Sequence, residues 1–205
     1  MMFIALEGGD GVGKTTQIPL IKEWLEKQGR VVRLFREPGS TPLGERIRAI
    51  LLNSMNLEIC RMSELLLFMA ARAQMVQECV RPALERGDVV IADRFLLSSI
   101  VYQGYGGELD VEQIREVGKI AVAGVLPDCT IILDVPLEVS KARRGNSPDR
   151  MEALPDGFHE RVRAGFLTEA QLSPQNHFVI NANQDIFAVQ ESIQKTLVPF
   201  LNIPN

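Results

Sequence analysis

Five short apolar segments, rich in β-branched residues, recur along the chain. They occupy residues Phe3–Leu6, Val31–Phe35, Val89–Ala92, Thr130–Val135 and Phe178–Ile180. Polar and apolar residues do not alternate within them, which is typical of strands that are covered on both faces. We therefore predict five buried strands.

Between these segments, apolar residues repeat every three or four positions, as on the buried face of a helix. The sets with this spacing are Ile18, Ile21 and Leu25; Leu43, Ile47, Ile50 and Leu51; Leu65, Phe68, Arg72, Val76 and Cys79; and Ile186, Val189, Ile193 and Leu197. Strands that alternate with helices predict an α/β fold, in which a five-stranded parallel sheet lies between helices. Ligands of such a fold bind beyond the carboxyl ends of the strands.

Length and composition fit a single domain that spans residues 1–205. Hydrophobic residues make up 46% and charged residues 23% of the chain, which favours a folded core over disorder. The net charge of −4 argues against a nucleic-acid partner. No apolar segment approaches the roughly 20 residues of a membrane span, and the N-terminus lacks the basic segment of a signal peptide.

The cysteines add a prediction about the compartment. Cys60, Cys79 and Cys129 lie far apart and have no metal-binding spacing. Their apolar neighbours indicate buried free thiols in a reducing environment, so we expect a cytoplasmic protein.

A glycine-rich motif follows the first predicted strand. The sequence GGDGVGKT, Gly8–Thr15, matches G-x-x-x-x-G-K-[ST] and opens a predicted helix. Its backbone N–H groups and the helix N-terminus can surround phosphate oxygens, Lys14 can reach the β- and γ-phosphates of ATP, and the Thr15 hydroxyl can bind Mg²⁺. The residues expected to hold ATP are Gly8, Gly9, Asp10, Gly11, Val12, Gly13, Lys14, Thr15 and Thr16. The strand and helix context disfavours a turn that binds nothing, but the motif alone does not distinguish a kinase from a motor, switch or transporter subunit.

The third predicted strand ends in Asp93 and Arg94, at the start of the segment ADRFLLSSIVYQG. An acid at this position can hold Mg²⁺ through water. A guanidinium beside it is costly if buried without a partner, so we expect Arg94 to face an anion. The chain has no N-K-x-D motif, which a small GTPase would use to bind guanine.

Two helices present side chains suited to a nucleobase. Phe68 and Arg72 lie four residues apart, and Ser99, Tyr102 and Gln103 share a face of the next helix. An aromatic ring can stack on a base, an arginine can donate to a carbonyl edge, and a glutamine offers a donor and an acceptor. Each has a structural alternative, since Phe68 and Tyr102 could belong to the core and Arg72 to a surface ion pair. Their occurrence together beside a phosphate loop favours the nucleotide site.

At this point the chain resembles the thymidylate kinases, the nucleoside monophosphate kinases that make dTDP from dTMP. The likeness covers nearly the whole sequence. It rests on EGGDGVGKTTQ (7–17), REPGSTPLGERIR (36–48), ELLLFMAARAQ (64–74), ADRFLLSSIVYQG (92–104) and LDVPLEVSKARRG (133–145). The resemblance implies a P-loop NTPase sandwich of three layers with a mobile lid loop at about residues 141–152. It also implies ATP and Mg²⁺ as cofactors and a homodimer.

The resemblance further assigns roles on the base side of the site. Phe68 would stack on thymine, and Arg72 would bind a base oxygen. Ser99 and Gln103 would approach the pyrimidine edge, and Tyr102 would lie against the deoxyribose.

On the phosphate side, the resemblance implies that Asp10 approaches the 3′-hydroxyl. Arg94 and Arg48 would hold the acceptor phosphate, while Glu37 and the adjoining turn PGS would form a wall of the acceptor pocket.

The lid completes the implied site. Some family members, including the human-like branch, carry an arginine in the phosphate loop at the position of Gly11, and members without it take that charge from the lid. Here KARRGNSPDR (141–150) contains Arg143, Arg144 and Arg150, a pattern similar to the bacterial branch. Arg143 and Arg144 are the first candidates to stabilise the transition state, although the segment could also be a solvated basic loop.

The implied reaction is in-line transfer of the γ-phosphate of ATP to dTMP, which needs no general base because the acceptor is already anionic. A kinase of the same fold for dUMP, dCMP, AMP or an unphosphorylated nucleoside remains an alternative, with Glu7 or Glu37 as a base for the nucleoside. A non-catalytic nucleotide-binding module is a second alternative, which the intact Lys14, Thr15 and Asp93 disfavour.

Overall fold

The computed structural model describes residues 1–53, 57–144 and 149–201. Within these ranges the chain forms one parallel sheet in the order β2-β3-β1-β4-β5. Its strands are β1 (Met2–Glu7), β2 (Val32–Arg36), β3 (Val89–Asp93), β4 (Cys129–Asp134) and β5 (His177–Asn181). The predicted strands are confirmed.

Helices occupy most of the chain between the strands. They are α1 (Lys14–Glu26), α2 (Pro42–Arg48), α3 (Arg61–Met75), α4 (Arg81–Glu85), α5 (Leu96–Ser99), α6 (Val111–Val122), α7 (Leu137–Arg143), α8 (Asp156–Leu172) and α9 (Ile186–Leu201). Wider π-helical turns extend α2, α3 and α5 at Ala49–Asn53, Val76–Val80 and Ile100–Gly106. Such turns are rare and are often found at functional sites.

The central strand β1 is buried on both faces, as a parallel strand between two helical layers should be. Met2, Ile4 and Leu6 belong to an apolar cluster with side chains of α1 and α9. Phe3 and Ala5 belong to a second cluster, with side chains of the helical segment from α3 to α4. The three-layer α/β sandwich is therefore confirmed.

Two expectations about burial are wrong: not every strand is covered on both faces, and not every cysteine is buried. Strands β2 and β5 form the margins of the sheet, and Leu34 and Val179 are 39% and 44% exposed because flanking helices cover them less completely. Among the thiols, Cys129 is buried and Cys79 is partly buried, whereas Cys60 is exposed at the N-terminal end of α3.

The sheet brings the phosphate loop and Asp93 to the same edge. Leu6, just before the end of β1, pairs with Asp93 at the end of β3. The loop then turns through Gly8, Gly11 and Gly13, whose φ angles of 128°, 75° and 103° favour glycine. Helix α1 begins at the next residue, Lys14.

The predicted lid, residues 141–152, is described in part. Its residues 141–143 are the last turn of α7, and residues 150–152 lie in a turn before α8, while residues 145–148 lie outside the described ranges. Among the described residues, every helix is too short or too polar to span a lipid bilayer.

Candidate active site

A cavity of about 540 Å³ lies at the carboxyl edge of the sheet. Most of the side chains predicted for the site line it. They are Asp10, Gly11, Gly13, Lys14, Thr15, Thr16, Glu37, Arg48, Phe68, Arg72, Asp93, Arg94, Ser99, Tyr102, Gln103, Arg143 and Arg144. Gly8, Gly9 and Val12 of the phosphate loop do not line it; Gly9 and Val12 border a smaller neighbouring pocket instead.

The phosphate loop holds its own lysine. Lys14 Nζ donates hydrogen bonds to the carbonyl oxygens of Gly8 and Gly9, at 3.0 Å and 2.7 Å. Burial, with the nearby charge of Arg94, lowers the pKa of Lys14 to about 8. An anion in the loop would stabilise the charged form of Lys14, so phosphate binding and lysine protonation are expected to favour each other.

Thr15 and Asp93 could together hold a divalent cation. Both line the cavity, and Asp93 Oδ1 is buried without a hydrogen-bond partner among the described residues. Hydroxyl and carboxylate oxygens suit Mg²⁺, which keeps several waters and takes further ligands from phosphates. No group of three or more His, Cys, Asp or Glu side chains suited to a metal occurs in the described part of the chain. A bound Mg²⁺ would therefore take water and phosphate oxygens as further ligands.

Asp10, Arg94 and Tyr102 form a hydrogen-bonded cluster. Arg94 Nη2 donates to Asp10 Oδ1 at 2.5 Å, and the Tyr102 hydroxyl donates to Asp10 Oδ2 at 2.8 Å. Burial acts to raise the pKa of Asp10, but Arg94 and Lys14 outweigh it and lower that pKa to about 2. Within the protein itself, the anion that Arg94 faces is a carboxylate of the phosphate loop.

Arg72 is held deep in the cavity wall. Its side chain is 1% exposed and pairs with Glu37 Oε2 at 2.6 Å, so the alternative of a surface ion pair is wrong. Arg72 Nη2 also donates to Ser99 Oγ at 3.0 Å. Burial raises the pKa of Glu37 to about 7 against the opposing charge of Arg72, and Glu37 Oε1 has no hydrogen-bond partner in the described ranges. The guanidinium therefore keeps a fixed orientation in the wall of the cavity.

The two aromatic side chains belong both to the core and to the cavity. Phe68 is partly buried against an apolar cluster that contains Leu52, and Tyr102 packs edge-on against Phe158 and Phe166. Both Phe68 and Tyr102 also line the cavity. The core alternative and the ligand-binding prediction are therefore compatible for these residues.

Gln103 contacts a residue that was not among the predicted ones. Its Nε2 donates to Glu64 Oε1 at 2.9 Å. The second oxygen of Glu64 accepts from Arg150 Nη2, and Arg150 Nε donates to the carbonyl of Leu51 at 2.7 Å. Arg150 does not line the cavity, which disfavours it as a lid arginine that contacts the phosphates.

The other two lid arginines both line the cavity but have different partners. Arg143 Nη1 donates to the carbonyl of Ala182, just after β5, at 3.1 Å. Arg144 contacts Ser140 Oγ at 3.2 Å and His159 Nε2 at 3.3 Å, and its Nε is buried without a partner among the described residues. A Cβ atom on Gly11 would lie 3.3 Å from Arg144 Cγ, so Arg144 lies directly over the phosphate loop.

Comparisons with known proteins agree with this geometry. Residues 6–193 match the family described as thymidylate kinase. The chain is 48% identical over 185 residues to the thymidylate kinase of Pelotomaculum thermopropionicum, covering 89% of this chain and 86% of that protein. It is 42% identical over 200 residues to the thymidylate kinase of Caldanaerobacter subterraneus, covering 97% and 96%. The crystal structure of thymidylate kinase from Ehrlichia chaffeensis superimposes with a TM-score of 0.77 at 34% identity, covering 96% of this chain and 98% of that one.

The chain belongs to the thymidylate kinase family.

Membership of the thymidylate kinase family confirms the predicted activity class, a kinase that phosphorylates dTMP to dTDP in nucleotide biosynthesis. Several polar residues of this family member's site were missed from its sequence: Arg36, Ser98, Asp149 and Glu152 line the cavity, and Glu64 contacts Gln103 behind it. Arg36 is the last residue of β2, and Ser98 lies four residues after Arg94. Glu64 precedes Phe68 and Arg72 at intervals of four on the same face of α3, and this spacing could have revealed it.

Proposed function

We propose that this cavity performs in-line transfer of the γ-phosphate of ATP to the phosphate of dTMP. One observation supports this most strongly: the phosphate loop, Arg94 and the base-side residues Phe68, Arg72 and Gln103 line one continuous cavity. Two nucleotides can therefore meet end to end, with Arg94 at the junction. Positioning and charge neutralisation then supply most of the catalysis.

In this proposal ATP occupies the phosphate loop, with its γ-phosphate near Lys14. The acceptor phosphate takes Arg94 and Arg48 as partners, and Arg94 exchanges part of its contact with Asp10 for the ligand. The released carboxylate of Asp10 and the hydroxyl of Tyr102 are then available to the deoxyribose. Arg48 lies at the end of α2, where Nη1 donates to the carbonyl of Pro38 at 3.0 Å.

Thr15 and Asp93 are the proposed Mg²⁺ residues, because both line the cavity and Asp93 Oδ1 has no hydrogen-bond partner among the described residues. When bound, the ion would neutralise phosphate charge and orient the β- and γ-oxygens.

We assign the transition-state guanidinium to Arg144 rather than Arg143. Arg144 lies over Gly11 of the phosphate loop, and its charge contributes to the lowered pKa of Asp10. Arg143 instead contacts the backbone after β5. Gly11 itself leaves the space that Arg144 occupies.

A nucleoside kinase of the same fold is less well supported. Its catalytic base would have to face a 5′-hydroxyl, but Glu7 is fully buried and accepts hydrogen bonds from Phe95 N at 2.8 Å and Ser98 Oγ at 2.5 Å. Glu7 does not line the cavity, and Glu37 is paired with Arg72. An anionic acceptor needs no base, which agrees with this arrangement.

The test is a measurement of ADP formed from Mg²⁺-ATP with dTMP, dUMP, dCMP, AMP or thymidine in separate reactions. Turnover should be strongest with dTMP, weaker with dUMP and absent with thymidine. Turnover with thymidine but not with dTMP would refute the assignment of Arg94 to the acceptor phosphate. ADP formation that ignores every acceptor would refute the proposed transfer.

We also propose a cytoplasmic homodimer. Free thiols at Cys60, Cys79 and Cys129 suit a reducing compartment. Leu66 on α3 and Ile120 on α6 are 50% and 81% exposed, and these two helices pack against each other. Exposed apolar side chains on adjacent helices favour self-association through this face.

A further inference from the structure

Glu64 connects two parts of the site through one carboxylate. It is 8% exposed on α3, and its Oε1 accepts a hydrogen bond from Gln103 Nε2 at 2.9 Å. Its Oε2 accepts from Arg150 Nη2, in the turn before α8. Gln103 lines the cavity, whereas Glu64 and Arg150 do not. Any effect of Glu64 on a bound nucleotide must therefore pass through another residue, and among the described residues Gln103 is the cavity-lining side chain that it hydrogen-bonds.

The contact with Glu64 determines which end of the Gln103 amide faces the ligand. The amide nitrogen donates and the amide oxygen accepts, while a carboxylate paired with a guanidinium accepts only. Gln103 must consequently present its nitrogen to Glu64. The carbonyl oxygen is then the end of the amide that remains for the cavity.

We propose that Glu64 is a positioning residue that fixes this orientation of Gln103 and thereby selects a pyrimidine with an N–H donor at N3. The inference rests on the proposed function, in which Gln103 approaches the base of dTMP. Thymine and uracil carry a proton on N3, whereas N3 of cytosine is an acceptor. A carbonyl oxygen from Gln103 therefore favours dTMP and dUMP over dCMP.

The substitution Glu64→Gln is expected to reverse the amide. Arg150 has only donors, so it takes the single oxygen of the new side chain, and the NH₂ group then faces Gln103. Gln103 should turn and offer its own NH₂ to the cavity. In equilibrium binding without ATP, the Kd of dTMP should rise about tenfold or more, while the Kd of dCMP should not rise. Selectivity for dTMP over dCMP should thus fall about tenfold or more.

A second substitution provides a rescue. In the double variant E64Q/R150M, the guanidinium no longer competes for the amide oxygen at position 64. That oxygen can again accept from Gln103, and the affinity for dTMP should return toward the wild-type value. If Glu64 and Arg150 served only to hold the fold together, the double variant would bind dTMP no better than the single one.

Glu169→Gln is the matched control. Glu169 is 1% exposed, accepts from the Tyr105 hydroxyl at 2.8 Å and from Arg115 at 2.7 Å, and lies outside the cavity. Its substitution should leave the selectivity unchanged. If wild type prefers dTMP and E64Q retains that preference, or if E64Q/R150M shows no recovery, the inference is overturned while the proposed function stands. If wild type neither binds nor phosphorylates dTMP, the proposed function is overturned and this inference with it.

Discussion

At the scale of single residues, three cations of the cavity have partners within the protein. Arg94 pairs with Asp10, Arg72 pairs with Glu37, and Lys14 donates to carbonyls of its own loop. A phosphate that enters must therefore exchange these contacts rather than add to them. Because the internal contacts already orient the guanidinium groups, ligand binding loses less side-chain entropy.

Arg94→Ala tests the assigned acceptor phosphate. The KM for dTMP should rise and kcat/KM should fall about tenfold or more, because charge-assisted hydrogen bonds to the phosphate are lost. Arg33→Ala is the control, since the Arg33 side chain is 50% exposed beside Asp88 on the sheet margin. Steady-state kinetics with dTMP as the varied substrate gives both values. Unchanged dTMP kinetics in the Arg94 variant would contradict the assignment.

The lowered pKa of Lys14 predicts a pH dependence for ATP. The free protein carries a protonated lysine below a pKa of about 8 and loses that charge above it. Because the cation is the form that binds phosphate, kcat/KM for ATP should be level below this pH and fall about tenfold per unit above it. The measurement is a pH series of initial rates, with thermal unfolding recorded at each pH. A level profile up to pH 10 with intact protein would contradict the prediction.

At the scale of elements, a steric contact joins the phosphate loop to the end of α7. A Cβ atom on Gly11 would lie 2.3 Å from the carbonyl oxygen of Ser140. Gly11→Ala should therefore displace the end of α7 and Arg144 with it, lowering both kcat and stability.

Gly29→Ala is the matched control for that substitution. Gly29 has a φ of 76°, close to the 75° of Gly11, but a Cβ there meets nothing within 4 Å. Both variants should lose about 1–2 kcal/mol from the backbone conformation alone, and Gly11→Ala should lose about 1–3 kcal/mol more from the steric contact. Urea unfolding measures the difference. Equal losses with full activity in both would show that the contact has no consequence.

The two lid arginines should differ in their kinetic effect. Arg144→Ala is expected to lower kcat about 10³-fold with little change in the KM for dTMP, as loss of a transition-state guanidinium does. Arg143→Ala should have a much smaller effect on kcat, because its side chain contacts the backbone after β5. Single-turnover rates of the two variants measure which arginine contributes more to the chemical step. The reverse order would exchange the assigned roles.

The sequence predicted the elements and most of the cavity-lining side chains, but not how those side chains are paired. Continuous apolar segments were enough to find the strands, and the phosphate-loop motif located the site because parallel strands end at one edge. The pairs Arg94–Asp10 and Arg72–Glu37 join residues that are 84 and 35 positions apart. Periodicity relates only neighbours within an element, so such pairs become visible only in the folded chain.

The same limit explains the errors on burial. Cys60 has Ile59 and Met62 near it in sequence but also the charged Arg61, and it lies exposed before α3. Leu34 lies in an apolar segment rich in β-branched residues, yet it is exposed because β2 is an edge strand of the sheet. Which strands lie at the edges of the sheet depends on the order of the strands. The pattern of apolar segments along the chain does not give that order.

At the scale of the whole molecule, the exposed apolar face on α3 and α6 predicts self-association. Ile120→Glu should convert the proposed dimer to monomer, because it would bury a charge at the interface. Phe187→Glu is the control, since Phe187 is 78% exposed on α9, away from this face. Sedimentation velocity distinguishes the two states. A wild-type protein that is monomeric at high concentration would contradict the proposal.

The internal pairing of charges in the cavity has a consequence for inhibitor chemistry. Since Arg94 and Arg72 are matched by carboxylates of the protein itself, a compound without a phosphate leaves neither guanidinium uncompensated. Leu52, Phe68 and Met151 offer it apolar contact in the same cavity. An uncharged molecule, able to cross a cell membrane where a nucleotide cannot, can therefore compete for this site.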